Sequence, residues 1–434
     1  MKRILIDGRF VGVGDSQTRY VLELVRNILK FDQENEYTLL VRPQGMKDVE
    51  EWLGIPRETM LDVNKSQISN DKSQINSKFK IQNSKFQNLQ VEVLDIPHYS
   101  VAEQTKLLKY LNDKKFDLVH FTQFNHPIFY RGNYVITIQD LTLVGHLHYF
   151  NFVKQLAFNS VMKSAARDSK AIIAISKVTE DDVIDFFGTP KEKFSLIYHG
   201  IDHVRFNAQV TIDKRQVTSF KDKYKITGDY FLYTGMWKKH KNLMRLLKAY
   251  EVFCIKYQAM PAGRQVSSIK EGAKVEQNHT PRLVLVGKVD QSEPEIIAEI
   301  NRIDRTLDTK YKIQNTILTT GFIDEDELPL AYAGALAYCI PSLSEGFGWP
   351  PLEAMACGTP AIASNASCIP EILGDAALYF DPYDVSDIAA KMEDISKDEA
   401  LRKKLISKGL EQVKKYSWEE CAKKTLEAYQ KLLS

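Results

Sequence analysis

The chain carries two kinds of hydrophobic pattern in alternation. Short unbroken apolar runs, of the type that forms strands buried on both faces, occupy residues 4–6, 37–41, 116–121, 134–140, 171–175 and 193–198. A second series follows at 230–235, 283–288, 316–321, 335–340 and 359–364. Between the runs lie stretches with apolar residues at helical spacing, at 20–29, 150–166, 176–187, 243–257 and 325–332, and a last one closes the chain at 418–433. Strand, loop, helix and strand in repetition predict an α/β protein built on doubly wound parallel sheets.

Two segments break the rhythm. Residues 63–90 are polar and repeat Lys-Ser-Gln-Ile and Asn-Ser-Lys-Phe at an interval of seven. With so few apolar positions they read as a loose insertion rather than a coiled coil. Residues 259–280, rich in Gly, Ser, Gln and Lys, read as a second insertion. The expected domains are 1–198 and 199–415, with 416–434 a helix that crosses back to the first, and Gly200 is the expected hinge.

Length and charge narrow the picture. The 434 residues suit two or three domains. With 58 basic against 56 acidic residues, net charge +2, the chain lacks the basic excess of a nucleic-acid binder. Five scattered cysteines without paired spacing fit a reducing compartment, and Cys339 and Cys357 read as core thiols. Met1-Lys2-Arg3-Ile4-Leu5-Ile6 reads as a strand rather than a leader, and no run approaches the ~20 apolar residues of a membrane span. The expectation is a cytoplasmic protein, with peripheral membrane contact open.

The chemistry concentrates between Ser344 and Pro360. A strand-like run ends at Pro341, Gly346 and Gly348 allow a sharp turn, and Pro350-Pro351 suit a helix start, with the first helical turns over 352–355 and Gly358 as cap. Such a turn aims the N–H groups of a helix's first turn beyond the strand end, where they favour an anion such as a phosphate. Glu345 and Glu353, eight positions apart, would repel that anion, but they suit the neutral hydroxyls of a sugar and a ribose. A tight connection with an exposed helix-start Glu is the bland reading; double proline, paired acids and flanking strands together favour a site.

Glu345-Gly346-Phe347-Gly348, then Pro350, Leu352-Glu353-Ala354-Met355-Ala356-Cys357-Gly358-Thr359-Pro360, resembles the signature of the family 4 retaining glycosyltransferases. The match continues through Asn365, Ile369-Pro370-Glu371 and Gly374-Asp375-Ala376-Ala377, and its flavour is that of bacterial mannosyltransferases. The resemblance implies the GT-B fold, two Rossmann-like domains facing across a cleft, with the donor on the C-terminal domain and the acceptor on the N-terminal one. Lys241-Asn242-Leu243 matches the family's Lys-Asn-Leu, whose lysine binds the donor diphosphate. Met236 stands where many members have an arginine, which leaves Lys238 as the candidate second cation. Phe322 and Ile323 lie where members hold the nucleotide base. His199-Gly200-Ile201-Asp202 is similar to the family's Asn-Gly-Ile-Asp at the domain junction.

The first half departs from the family pattern. Ser16 and Thr18 stand where its glycine loop is expected, four residues after Gly12 and Gly14; of these Gly14 is the donor-contact candidate. His120, Gln139 and Asp140 fall at strand ends, where open α/β sheets collect ligands. His120 has two readings, an acceptor-side contact or a core histidine. Gln139 replaces the family's histidine beside the donor sugar and cannot carry a proton at neutral pH. His146 and His148 are further acceptor-side candidates.

These residues imply transfer of a sugar from a nucleotide-sugar donor, GDP-mannose first and UDP-sugars next, to a hydroxyl of a glycan or lipid-linked acceptor. Catalytic candidates are Gln139, Asp140, Lys241 and Glu345. Lys241, Lys238 and the amides of Phe347 and Gly348 would steady the departing diphosphate, Glu345 the sugar and Glu353 the ribose. By resemblance neither a metal nor another cofactor is required. A hydrolase fits poorly, since eight helical residues span about 12 Å against the ~5–9.5 Å between hydrolase carboxylates. A non-catalytic nucleotide-sugar or glycan binder, or a nucleotide-sugar epimerase, remains as an alternative.

Overall fold

The computed structural model describes residues 1–62, 86–141, 152–208, 213–258, 280–288, 293–311, 313 and 316–434. His146, His148 and most of both insertions lie outside the described residues. The chain divides into two units, residues 1–200 with Trp418–Ser434, and Ile201–Ser417.

In the first unit the apolar runs become eight parallel strands: β1 Arg3–Asp7, β2 Glu36–Val41, β3 Leu61–Asp62, β4 Leu89–Val93, β5 Leu118–Phe121, β6 Tyr134–Ile138, β7 Ala171–Ala174 and β8 Phe194–Leu196. Their spatial order is β3-β4-β2-β1-β5-β6-β7-β8. The sheet therefore changes direction between β1 and β5, as a doubly wound sheet does. β4 begins in the last two residues of the span expected for the 63–90 insertion and runs three residues beyond it. Val91 and Val93 are buried there, and the register Leu39 against Val91 and Val41 against Val93 makes β4 a full member of the sheet. Three apolar residues between Gln and Glu, next to a polar repeat, hide that strand from a periodicity reading.

Helices cover both faces. Asp15–Phe31 buries Tyr20, Leu24 and Ile28. Lys177–Phe187 starts on Ser176, whose side chain accepts from the Thr179 N–H, and stops on Gly188 in a left-handed conformation. The closing helix Trp418–Leu433 belongs to this unit. Its Tyr429 hydroxyl meets His120 Nδ1 at 2.6 Å, and His120 Nε2 meets Thr137 Oγ1 at 2.8 Å.

The second unit holds six parallel strands: β9 Tyr230–Thr234, β10 Arg282–Val286, β11 Ile317–Gly321, β12 Ala337–Ile340, β13 Ala361–Ser364 and β14 Ala377–Phe380. They lie in the order β11-β10-β9-β12-β13-β14, with the change of direction between β9 and β12. Tyr233, Leu246, Tyr250, Phe253, Leu285 and Cys339 form part of its core. All five cysteines are free and buried, as Cys339 and Cys357 were read. No described helix is long and apolar enough to cross a membrane.

Candidate functional site

In the second unit the change of direction between β9 and β12 brings two loops together. β9 runs out into 235–242 and β12 into 341–348. The Leu343 N–H donates to the His240 carbonyl at 2.8 Å. Asn242 completes the join from a left-handed backbone, φ 60°. Its amide nitrogen donates to the carbonyls of Pro341 at 3.0 Å and Pro382 at 2.8 Å, and its oxygen accepts from Arg245. Asn242 thus ties strand ends together and leaves the neighbouring lysine to face outward.

Lys241 Nζ donates to both carboxylate oxygens of Glu345, each at 2.7 Å. Ser342 Oγ donates to the same carboxylate at 2.7 Å. The Glu345 backbone is held as well: its N–H donates to Ser367 Oγ at 3.2 Å, and its carbonyl accepts from Ser367 Oγ and Cys368 Sγ. Both side chains keep some solvent access, 23% for Lys241 and 13% for Glu345. The cation and the acid that sequence reading gave to separate parts of a donor therefore partner each other here. An anion that engages Lys241 competes with Glu345 for its ammonium. Lys238 caps the short helical turn Lys239–Lys241 from its N-terminal side and is exposed.

The signature helix runs Trp349–Ala356, from Gly348 at φ 91°. Its start lies one residue before the Pro350-Pro351 pair from which a helix start was expected. Pro350 and Pro351 occupy the second and third helical positions and carry no N–H. Neither proline can therefore offer a backbone N–H to an anion at this helix start. Gly346 is half-buried. Phe347 is buried, its ring 6.0 Å from Trp349 and 5.4 Å from Tyr416. Its side chain is an anchor.

Glu353 is almost wholly buried and accepts from the Tyr332 hydroxyl at 2.9 Å. That hydroxyl lies 3.1 Å from Thr234 Oγ1, which lies 3.3 Å from the Tyr338 hydroxyl. Sequence reading missed this network. Tyr332 and Tyr338 sit in apolar runs, where aromatics read as core. Phe322 is 67% exposed on the loop after β11, with Ile323 half-buried beside it.

In the first unit, Gln139 and Asp140 follow directly on β6. Gln139 Oε1 meets His199 Nε2 at 2.8 Å, while its amide nitrogen is buried without a partner. The His199 ring lies 4.6 Å from that of Tyr20 and 5.7 Å from that of Trp418. Burial pulls its pKa down to about 3, so the ring is neutral. Asp140 is half-buried. Of the two roles weighed for His120, the structure shows the core one. It has no exposure, both ring nitrogens are engaged, and burial lowers its pKa to about 3. No ring nitrogen is left for an acceptor. Gly14 caps the helix Asp15–Phe31 in extended backbone, with nothing within 4 Å of where a Cβ would stand. Among the described residues no three His, Cys, Asp or Glu side chains gather into a group that could hold a metal.

Comparison with known proteins places these features. The model for glycosyl transferases group 1 matches residues 214–412, and that for glycosyltransferase family 4 matches residues 17–205. The serotype-specific mannosyltransferase WbdA of Escherichia coli is 29% identical over 282 residues, 65% of this chain and 29% of WbdA. The chain thus spans about three-tenths of that relative's length. O-antigen chain mannosyltransferase B of Escherichia coli is 27% identical over 301 residues, 69% of this chain and 70% of the relative. Among solved structures, Anabaena HepE in complex with UDP and glucose superposes with a TM-score of 0.66 at 15% identity, covering 99% of this chain and 100% of HepE. WaaG, a glycosyltransferase involved in lipopolysaccharide biosynthesis, gives 0.62 at 13% identity, covering 98% and 99%. At these identities the structures show the shared GT-B fold.

Proposed function

The chain belongs to the group 1, family 4 glycosyltransferases, and we propose that it moves a hexose, mannose first, from a nucleoside-diphosphate sugar to an acceptor hydroxyl with retention at the anomeric carbon. The observation that carries this reading is the Lys241–Glu345 pair at the second unit's change of strand direction. A diphosphate there draws the ammonium to itself. The freed carboxylate then accepts hydrogen bonds from sugar hydroxyls. In the reaction the bond from the anomeric carbon to the phosphate oxygen breaks and one to the acceptor oxygen forms. The acceptor proton ends on the departing diphosphate. Lys241, Lys238 and the loop amides of Phe347 and Gly348 steady the charge that grows on it. Glu345 holds the sugar, Glu353 with Tyr332 fixes the ribose side, and Phe322 with Ile323 holds the base.

Gln139 takes no part as acid or base; its carboxamide meets a hydroxyl beside Asp140. Gly14, with open space over it, leaves the first unit's backbone approachable by a ligand phosphate. The mannosyltransferase relatives favour mannose as the sugar; GDP-mannose comes first and UDP-sugars next among the donors to test, UDP being the nucleotide in the HepE complex. The names of the O-antigen relatives favour a glycan or lipid-linked acceptor in cell-surface polysaccharide synthesis. Peripheral contact with the inner face of a membrane would suit a lipid-linked acceptor.

A thermal-shift panel of GDP, UDP, ADP and their sugars tests the reading. A ligand at a hundred times its Kd adds about 2.7 kcal/mol to the native state, so the true donor stands out. No shift with any nucleotide would overturn it. Gln139 and Met236 favour a second reading, a binder without turnover. Release of free nucleoside diphosphate in the presence of donor and acceptor excludes it.

A further inference from the structure

The first unit has its own change of strand direction, between β1 and β5, and what collects there is not explained by the fold. The Thr122 hydroxyl ties the two strand ends by donating to the Asp7 carbonyl at 2.6 Å. Arg9, just past β1, is fully buried. Its Nε donates to Asp7 Oδ1 at 2.9 Å, and its Nη2 to Asp7 Oδ2 at 2.8 Å and Glu103 Oε1 at 2.9 Å. Its Nη1 has no partner. Glu103 Oε2 in turn accepts the backbone N–H of Tyr99 at 3.2 Å.

Tyr99 is held at φ 55°, a conformation that non-glycine residues rarely adopt, and it is 57% exposed. Its ring lies 6.1 Å from that of Phe124. Its phenol is within reach of the Asn125 carboxamide, which acts on it as a hydrogen-bond partner, and feels the charges of Glu103 and Asp140. Asn125 is only 1% exposed, and neither its amide nitrogen nor its amide oxygen makes a hydrogen bond of normal geometry. Buried polar groups are almost always satisfied. Here a buried carboxamide has only the Tyr99 phenol to meet, beside an exposed aromatic face, with the Gln139 amide nitrogen unpaired at the end of the neighbouring β6.

The chemistry of this group is selective. A carboxamide both donates and accepts, which suits a hydroxyl better than a carboxylate or an ammonium. An exposed ring suits an apolar C–H face. One guanidinium stands against three carboxylates, Asp7, Glu103 and Asp140, so the local field disfavours an anion. We propose that Tyr99, Asn125 and Arg9 form a subsite for a neutral sugar ring of the acceptor, one without phosphate or carboxylate, with the ring face on Tyr99 and a hydroxyl on Asn125. The proposal rests on the glycosyl-transfer reading and adds the residues and the charge class to it.

Saturation-transfer NMR on the full chain tests it with two probes, methyl α-D-mannopyranoside and methyl β-D-glucuronide. The neutral glycoside should receive saturation from the wild type and from Tyr99→Phe. Its binding should weaken about tenfold in Tyr99→Ala, on the scale of one aromatic contact, and also in Asn125→Ala. The glucuronide should show no transfer. A neutral glycoside that binds equally in Tyr99→Ala, or not at all, overturns the subsite, as does a glucuronide that binds as well. The nucleotide thermal shift, measured on every variant, keeps the two readings apart. Its retention shows that each variant is folded and the donor site intact, whereas its absence from the wild type counts against glycosyl transfer itself.

Discussion

Lys241 and Glu345 stand 104 residues apart in sequence, yet two hydrogen bonds of 2.7 Å join their side chains. The pair lies where two loops meet across the centre of a sheet, and each member answers the other's charge. On the proposed function, donor binding is an exchange of partners.

That exchange has opposite consequences for two ligands. In Glu345→Gln the ammonium is no longer held by a carboxylate, so bare nucleoside diphosphate should bind more tightly, by about tenfold for a gain of roughly 1.4 kcal/mol. Turnover of the nucleotide sugar should fall, because the hydroxyl acceptor is weakened. Calorimetry with the nucleotide and initial rates with its sugar read the two effects separately.

Lys241→Ala should behave differently. It removes the cation that steadies the leaving group, and kcat should drop about 10²–10³-fold, the usual scale for a lost donor to a developing anion. The nucleotide-induced rise in thermal stability should shrink with it. A variant with wild-type kcat would remove Lys241 from the reaction.

The Tyr332–Glu353 bond predicts a stability effect. Tyr332→Phe takes away the hydroxyl that donates to the buried carboxylate at 2.9 Å. The native state should lose about 1–3 kcal/mol, visible as a lower urea midpoint with an unchanged slope. No shift in midpoint would mean that the carboxylate finds another donor.

Three buried histidines predict an acid limb. Burial brings His120 and His199 down to about 3 and His126 to about 4. Unfolded, each titrates near 6.5. Below that pH the unfolded chain binds protons that the native one refuses. The stabilisation is complete above pH ~6.5 and declines as pH falls toward the folded values, at up to about 1.4 kcal/mol per pH unit for each histidine. Urea midpoints between pH 7 and 5 should fall steeply. His120→Gln should flatten the fall by one proton's worth, and parallel curves would contradict the assignment.

Two glycines two residues apart should respond in opposite ways. Gly12 sits at φ 79°, and a Cβ there would meet the Gln44 carbonyl oxygen at 2.7 Å. Gly12→Ala should destabilise the unit by about 1–3 kcal/mol. Gly14 has extended backbone and open space, so Gly14→Ala should unfold at the wild-type midpoint. A loss of activity there, in a fully stable variant, would report a ligand approaching that backbone.

These cases show where reading by residue pattern succeeds and where it stops. Apolar runs are local, so most strands fell within a residue or two of their observed ends, and the closing helix was legible as Trp418–Leu433. β4 was not, since its alternation is short and lies against a polar repeat. The start of the signature helix was legible to within one residue, because prolines are tolerated in the first helical turn, where their missing N–H costs no bond. His120 carried a functional look from its place near a strand end. Only the neighbouring Tyr429 and Thr137 reveal it as a core residue.

The identity of the chemistry belonged to the chain's linear order: a glycine turn flanked by acids, a lysine after a strand, and a repeat of strand and helix long enough for two sheets. Partnership belonged to the fold. That Lys241 meets Glu345, that Glu353 meets Tyr332, and that Asn125 is buried beside the Tyr99 phenol all depend on which strands lie side by side. Strand order is set by the packing of helices and loops far apart in sequence. Side-chain pairing across it is a property of distance in space, to which periodicity along the chain is blind.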